Sequence, residues 1–306
     1  MPVRFRPLLP LAATGLAATL LAAACSAPPF TQLSGLMLDA ELDEVSGLAA
    51  SHRHADTLWM LNDGGNEARV YAVSHRGGKI ATLDIAGVDN TDWEDIATFE
   101  LDGRHYLLVA DTGDNGGLRK TLQLHVVPEP DALADATVAP AWSIVFSWPG
   151  GARDCEAVAV DAAGNQVLLI SKKRQPPELF ALPLRPVAGD DDGEPLVATR
   201  LGELAGVPQG DEEEVRANPE MARLRSQVTA ADIARDRHAM AVLTYRDVLI
   251  YPRRAREGWA QALARKPEVH PLPWLPQGEA LGWSDDNRAL YASGELSPAP
   301  LLHLNP

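Results

Sequence analysis

Short runs of apolar or alternating apolar and polar residues recur along the chain between clusters of Gly, Asn and Asp. Runs of about four to eight residues with such boundaries are typical of β-strands. The first series comprises residues 45–49, 57–61, 69–74 and 79–85, and a turn cluster at 62–66 interrupts it. The pattern predicts four consecutive antiparallel strands, and comparable series follow it along the chain.

One local sequence opens each series of strands. Its clearest copy is residues 92–97, Asp-Trp-Glu-Asp-Ile-Ala, and weaker copies place an apolar anchor at the same position. The predicted anchors are Leu48, Ile96, Val158, Ile233 and Leu281. Repeated four-stranded units predict a β-propeller, whereas a β-sandwich, the alternative architecture, has no reason to repeat one local sequence.

The last series is one strand short, and the strand left over near the start, residues 33–38, can complete it. A spare terminal strand that closes the last blade removes the open sheet edges. We therefore predict an all-β fold: a single five-bladed β-propeller of four-stranded antiparallel blades, closed by an N-terminal strand. Six blades are the alternative. The domain would span 33–306 and contain an inserted, solvated acidic loop at 202–227, in which 218–225 could start a short helix.

The N-terminus has the residue pattern of an export signal. Arg4 and Arg6 precede an apolar stretch at 8–21, and small residues lead to Cys25. We predict a signal peptide at 1–24, lipidation of Cys25 and a tether at 25–32, which would anchor the protein in the bacterial cell envelope. Ordinary cleavage, giving a soluble periplasmic or secreted protein, is the alternative.

The formal net charge of −15 argues against nucleic acid as a partner. We expect a monomer that touches the membrane only through its lipid. Once Cys25 is set aside, Cys155 is the remaining cysteine, so the domain has no internal disulfide. No His stands in any motif copy, and we interpret Cys155 as a packing residue rather than a nucleophile.

Acidic residues precede several of the anchors. If the motif opens the innermost strand of each blade, the pseudo-rotation of the propeller brings these residues to one mouth of the central channel. Crowded carboxylates favour a hard cation, and we predict Ca²⁺. The predicted metal residues are Glu44, Asp92, Glu94, Asp154, Glu156 and Glu279. An interblade salt-bridge role for Glu94, Glu156 and Glu279 is the alternative.

A second ring of polar residues follows the second strand of each blade. Antiparallel strands place the end of one and the start of its neighbour at the same sheet edge, so this ring should share the mouth. The predicted ligand-binding residues are Asp63, Asp111, Lys172, Tyr245, Arg246 and Glu295. For Asp63 and Asp111, turn capping explains the residue type equally well.

Four segments carry a resemblance to known proteins: residues 44–48 (EVSGL), 92–97 (DWEDIA), 110–115 (ADTGDN) and 276–280 (PQGEA). Their arrangement resembles a group of uncharacterised exported bacterial propeller proteins. It is more distantly similar to the SdiA-regulated propellers and to the gluconolactonase and paraoxonase class, whose acidic and Asn residues hold calcium at the channel mouth. Those enzymes have six blades, whereas five motif copies are present here.

Three functional hypotheses follow. The first is a ligand-binding module with calcium at its acidic mouth. The second is a metal-dependent esterase, lactonase or phosphoesterase, with Glu94 or Glu156 as general base and with Lys172 and Arg246 suited to an anionic substrate. The third is a metal-free scaffold for protein interactions.

Overall fold

Five small sheets surround one axis, which confirms the predicted five-bladed β-propeller. The computed structural model describes residues 29–185, 194–272, 275 and 277–306. The predicted signal peptide and residues 25–28 of the predicted tether therefore lie outside the described residues. In the part of the chain that is described, no helix is long and apolar enough to cross a membrane.

The strands follow one another from the inside of each blade outwards. The first strand of the chain is β1 (Thr31–Met37). Blade 1 contains β2 (Val45–Ala50), β3 (Thr57–Asn62), β4 (Arg69–Ser74) and β5 (Lys79–Ile85). Blade 2 contains β6 (Trp93–Leu101), β7 (Arg104–Asp111) and β8 (Leu122–Pro128), then, after the short strand β9 (Ala136–Val138), β10 (Trp142–Ser147).

The remaining blades repeat this order. Blade 3 contains β11 (Ala157–Asp161), β12 (Gln166–Ile170) and β13 (Glu178–Pro183), then, after β14 (Leu196–Val197), β15 (Thr199–Glu203). Blade 4 contains β16 (Val228–Ile233), β17 (Ala239–Thr244), β18 (Asp247–Pro252) and β19 (Glu268–Pro271). Blade 5 contains β20 (Gly278–Trp283), β21 (Leu290–Gly294) and β22 (Ala299–Leu304), with β1 as its outer strand.

The N-terminal strand closes the propeller as predicted. β1 pairs antiparallel with β22, from Thr31 opposite Leu304 to Met37 opposite Ala299. The strand begins two residues before its predicted start at Leu33, because backbone pairing continues beyond the apolar run. The predicted tether at 25–32 therefore extends into the fold.

Two short strands join neighbouring blades, and sequence patterning does not predict this. β9 lies in the connection between β8 and β10 but pairs in parallel with β5 of blade 1. In the same way, β14 lies between β13 and β15 but pairs with β10 of blade 2. Each strand covers the outer edge of the preceding blade, an edge that would otherwise expose unpaired backbone groups.

The acidic insertion contains two short helices, α1 (Glu212–Ala217) and α2 (Pro219–Leu224). The helix start after Asn218 was predicted, but the expectation of loop is wrong for residues 212–214, which form the first turn of α1. Asp211 accepts hydrogen bonds from the backbone N–H groups of Glu213 and Glu214 and completes a capping box with Glu214. A third helix, α3 (Trp259–Leu263), connects β18 and β19.

A buried carboxyl group links three blades across the axis. Asp95 in β6 accepts hydrogen bonds from its neighbour Ile96 N (2.9 Å) and from Val158 N (2.8 Å) and Ala231 N (3.4 Å) in blades 3 and 4. Burial raises the pKa of Asp95 well above its ordinary value. The inner strands of blades 1 and 2 approach each other so closely that a Cβ at Gly47 would lie 2.9 Å from Ile96 N.

We expect Asp95→Ala to lower the free energy of unfolding by about 2–3 kcal/mol, because it leaves buried backbone N–H groups without an acceptor. Urea denaturation of the chain without its leader measures this change. The matched control is Asp131→Ala, which removes an exposed carboxylate paired with Arg53. Equal effects of the two substitutions would contradict a linking role for Asp95.

Candidate functional site

In four of the five blades, a β-bulge places one residue of the inner strand at the channel mouth. In four blades the pairing between the first and second strands skips a single residue near the start of the inner strand. The skipped residues are Ser46, Glu94, Thr229 and Glu279. In blade 3, Glu156 stands at the same place, directly before the first paired residue, Ala157. Bulges of this kind re-aim side chains and are frequent beside functional sites.

The bulge corrects the sequence alignment of the fourth motif copy. Thr229 occupies the position of Glu94, so the residue equivalent to the anchor Ile96 is Ala231. The predicted anchor Ile233 is wrong by two residues. The alignment chose the larger apolar side chain, whereas the register depends on a backbone irregularity that hydrophobicity does not reveal.

Glu94 is the centre of the acidic mouth. One carboxylate oxygen each from Asp63, Asp92 and Glu94 lies within 4.8 Å of the others, and the same holds for Glu94, Asp154 and Glu156. We call these two sets the outer triad and the inner triad. The structure thus brings together four of the six predicted metal residues and adds Asp63, which was predicted as a ligand contact.

Two glycines, which sequence reasoning treated only as turn residues, make room for this convergence. A Cβ at Gly113 would lie 2.5 Å from Asp92 Oδ2 and would overlap the Glu94 carboxylate. A Cβ at Gly64 would lie 2.5 Å from Asp92 Oδ1. The repeated position of these glycines, after the second strands of blades 1 and 2, is the signal that could have identified them.

Lys172 forms the opposite wall of the mouth. Its ammonium group pairs with Glu156 Oε1, lies 3.8 Å from Glu279 Oε1 and sits 5.2 Å from the centroid of the Tyr245 ring. The Tyr245 hydroxyl donates to Glu279 Oε1 at 2.5 Å. Although burial favours the neutral amine, Glu156 and Glu279 raise the pKa of Lys172, so it stays charged. Glu279 is thus committed to Lys172 and Tyr245 and belongs to neither triad.

Some acids at the mouth have cationic partners and others do not. Arg119 lies 2.7 Å from Asp111 Oδ1, and Lys173 Nζ lies 2.7 Å from Asp154 Oδ2. In contrast, no cation of the described residues lies within ion-pair distance of the three carboxylates of the outer triad. Glu94 is only 3 % exposed, and its carboxylate accepts no hydrogen bond from these residues. The carboxylates of the outer triad therefore have no direct cationic partner among the described residues.

The ionisation of the mouth reflects this crowding. Burial, followed by the charge of Glu156, raises the pKa of Glu94 well above its ordinary value. Burial also raises the pKa of Glu156, against the opposing effect of Lys172, and that of Asp92. Burial raises the pKa of Asp63 to about 6. Such shifts indicate carboxylates that gain strongly from a proton or a cation.

Three predicted site residues lie outside this convergence. Glu44 is exposed and accepts a hydrogen bond from Asn66 Nδ2 at 2.7 Å. Arg246 is exposed and lies 4.0 Å from Glu214 Oε1. Glu295 is half-buried at the rim, where burial and the neighbouring Glu279 raise its pKa to about 9. Cys155 is buried, as predicted, and burial raises the pKa of its thiol.

The sequence matches no known protein-family model and none of the curated proteins with which it was compared. The resemblance to exported bacterial propeller proteins therefore stays a prediction. Because the same fold can carry unrelated functions, the function must be argued from the mouth itself.

Without divalent cations, we expect the domain to become more stable as the pH falls from about 8 to about 5.5. In this range the folded state binds protons at Asp63 and its neighbours, whose pKa values are raised, whereas the carboxyls of the unfolded chain, with an ordinary pKa of 3.8 for Asp, are already ionised. This stabilisation is lost as the pH rises through the folded pKa values. Thermal melts in chelator measure it.

Asp63→Asn should flatten this pH dependence, and Asp131→Asn should leave it unchanged. A melting temperature that falls steadily between pH 8 and pH 6 in wild type would contradict the expectation.

Proposed function

We propose that this protein is an envelope-anchored propeller lipoprotein whose acidic mouth binds a divalent cation, Ca²⁺, and through it a ligand. The observation that carries the proposal is the Glu94 carboxylate, which is buried, meets Asp63 and Asp92, and has neither a cation nor a hydrogen-bond donor among the described residues. A buried carboxylate without such a partner is costly, and a bound cation removes that cost.

The donor set fits calcium. Ca²⁺ binds oxygen ligands at about 2.3–2.6 Å, so oxygens within 4.8 Å of one another can share one coordination sphere. Its flexible geometry accepts carboxylates from separate blades. The triads contain no His or Cys, the ligands typical of zinc.

The position of the cation favours ligand binding over a purely structural role. Asp63 and Asp92 are half-exposed, whereas Glu94 beneath them is buried. A cation held between them would face the open side of the mouth, where water or an oxygen of a ligand can complete its shell. A small molecule with carboxylate, phosphate or hydroxyl oxygens suits this position.

The start of the described chain supports an anchor on the far side. Asn305, which follows β22, donates from its backbone N–H to Phe30 O at 2.7 Å and from Nδ2 to Pro29 O at 3.2 Å. This is the end of blade 5 at which β20 finishes, away from its bulge at the mouth. Cys25 precedes Pro29 by only four residues. A lipid on Cys25 would therefore leave the mouth pointing away from the membrane.

A metal-dependent hydrolase is the second candidate, and Glu295 favours it. With a pKa of about 9, this half-buried carboxyl keeps its proton at neutral pH and could donate it to a leaving group. The cation would polarise the reacting oxygen, with Glu94 or Glu156 as general base. Turnover of lactones, carboxylic esters or phosphate esters that Glu295→Gln abolishes would support this candidate. If the protein turns over none of these compounds, the hydrolase candidate is refuted and the ligand-binding proposal remains.

Millimolar Ca²⁺ should raise the melting temperature of the wild-type protein, with a stabilisation of about 2.7 kcal/mol when free calcium is a hundredfold above its dissociation constant. Glu94→Gln should raise the melting temperature in chelator, because a buried charge is removed, and should abolish the calcium-dependent increase. The matched control is Asp131→Asn, which alters an exposed acid outside both triads. An unchanged calcium response in Glu94→Gln would refute the proposal.

Cys25→Ser should move the protein from the membrane fraction to the soluble fraction of the producing bacterium, because the lipid is its predicted anchor. Fractionation and immunoblotting measure this. A variant that stays in the membrane fraction would show that something other than the Cys25 lipid holds the protein there.

A further inference from the structure

We propose that the mouth binds two divalent cations, one in the outer triad and a second in the inner triad, and that Glu94 bridges them. The proposal rests on the proposed function for the first cation and adds a second site to it. Glu94 is the residue that both triads share.

The inner triad contains a carboxylate oxygen without a partner among the described residues, Glu156 Oε2, which is fully buried in a residue that is 3 % exposed. Asp154 Oδ2 is also fully buried, and its cationic contact is the Lys173 ammonium group at 2.7 Å. Buried oxygens without a partner are rare in folded proteins, and an ion that belongs at the site is a common explanation. This distinguishes the inner triad from acidic clusters on protein surfaces, where water satisfies every oxygen.

The other oxygen of each carboxylate is already fixed. Asp154 Oδ1 accepts a hydrogen bond from the backbone N–H of Asp114 at 2.9 Å, and Glu156 Oε1 accepts one from Lys172. These contacts hold both groups in one orientation. They leave Glu156 Oε2 without a partner and Asp154 Oδ2 in contact with the Lys173 side chain. Carboxylates that ligate a metal are typically oriented in this way by outer-shell partners.

Glu94 has the freedom that a bridging ligand requires. Since its carboxylate accepts no hydrogen bond from the described residues, neither oxygen is committed elsewhere. One oxygen can serve the outer triad and the other the inner triad. Two metal ions that share a carboxylate lie about 3.5–4 Å apart in known two-metal sites.

The charges of the mouth favour a second cation. The two triads contain five carboxylates, and a single divalent ion compensates two of these charges. Lys172 is buried and remains with Glu156 and Glu279. Lys173 contacts Asp154 Oδ2, but its side chain is 42 % exposed and can swing into solvent. We infer that the Lys173 ammonium group occupies the inner site until a second cation displaces it.

Calorimetric titration of the chelator-treated, detergent-solubilised mature protein with Ca²⁺ tests the proposal. We expect two ions per chain in wild type. Asp63→Asn should remove the outer site and leave one ion, and Asp154→Asn, which keeps the Oδ1 acceptor for Asp114, should remove the inner site and leave one ion. Lys173→Met should tighten the weaker site severalfold because it removes a competing charge. Asp131→Asn, which alters an exposed carboxylate outside both triads, should change nothing.

Bridging of the two cations by Glu94 can be measured separately from the number of bound ions. With Mn²⁺ in place of Ca²⁺, paramagnetic resonance of the fully loaded protein should show two spin-coupled ions, and Glu94→Gln should abolish the coupling. Two uncoupled Mn²⁺ ions would overturn the bridging role of Glu94. One calcium per chain, unaffected by Asp154→Asn, would overturn the inner site and leave the proposed function intact. The absence of calcium binding would overturn both.

Discussion

Crowding at the propeller axis is the constraint on which the rest of the structure depends. Five inner strands converge there, and backbone atoms approach so closely that Gly47 and Gly282 have no room for a side chain. Asp95 joins blades 2, 3 and 4 by accepting hydrogen bonds from their backbone N–H groups. Residues at the strand starts therefore cannot move apart without breaking this packing and these hydrogen bonds.

This rigidity decides the electrostatics of the mouth. On a mobile surface, the carboxylates of the outer triad would separate into water and keep ordinary pKa values. Here the backbone holds them together, so burial and mutual repulsion raise the pKa of Glu94 and Asp92. Packing of the axis thus offsets the repulsion between these carboxylates and keeps them in one arrangement, which is the preorganisation that the proposed cation site requires.

The sequence predicted the blades because strand alternation and turn residues are local signals, and it predicted the acidic ring because pseudo-rotation follows from a repeat. It could not predict features that depend on register or long-range contact. The alignment of the fourth copy on Ile233 instead of Ala231 is wrong by two residues, because strand pairing and not side-chain size sets the register. The repeat does not specify contacts between different blades. It could therefore predict neither the contacts of Glu279 with Tyr245 and Lys172 nor the pairing of β9 and β14 with neighbouring blades.

The bulge position itself separates folding from function. In blades 1 and 4 it holds a hydroxyl that donates to the next inner strand, from Ser46 to Trp93 O at 3.2 Å and from Thr229 to Gly278 O at 2.8 Å. Between blades 2 and 3 the equivalent acceptor, Cys155 O, receives its hydrogen bond from Thr112 at 2.8 Å instead. Since a short hydroxyl satisfies the fold at this position and Thr112 provides one, Glu94 is not required for blade docking. Glu94 is buried and has no hydrogen-bond partner among the described residues, at a position where blade docking requires only a hydroxyl group. A ligand-binding role therefore explains it better than a role in folding.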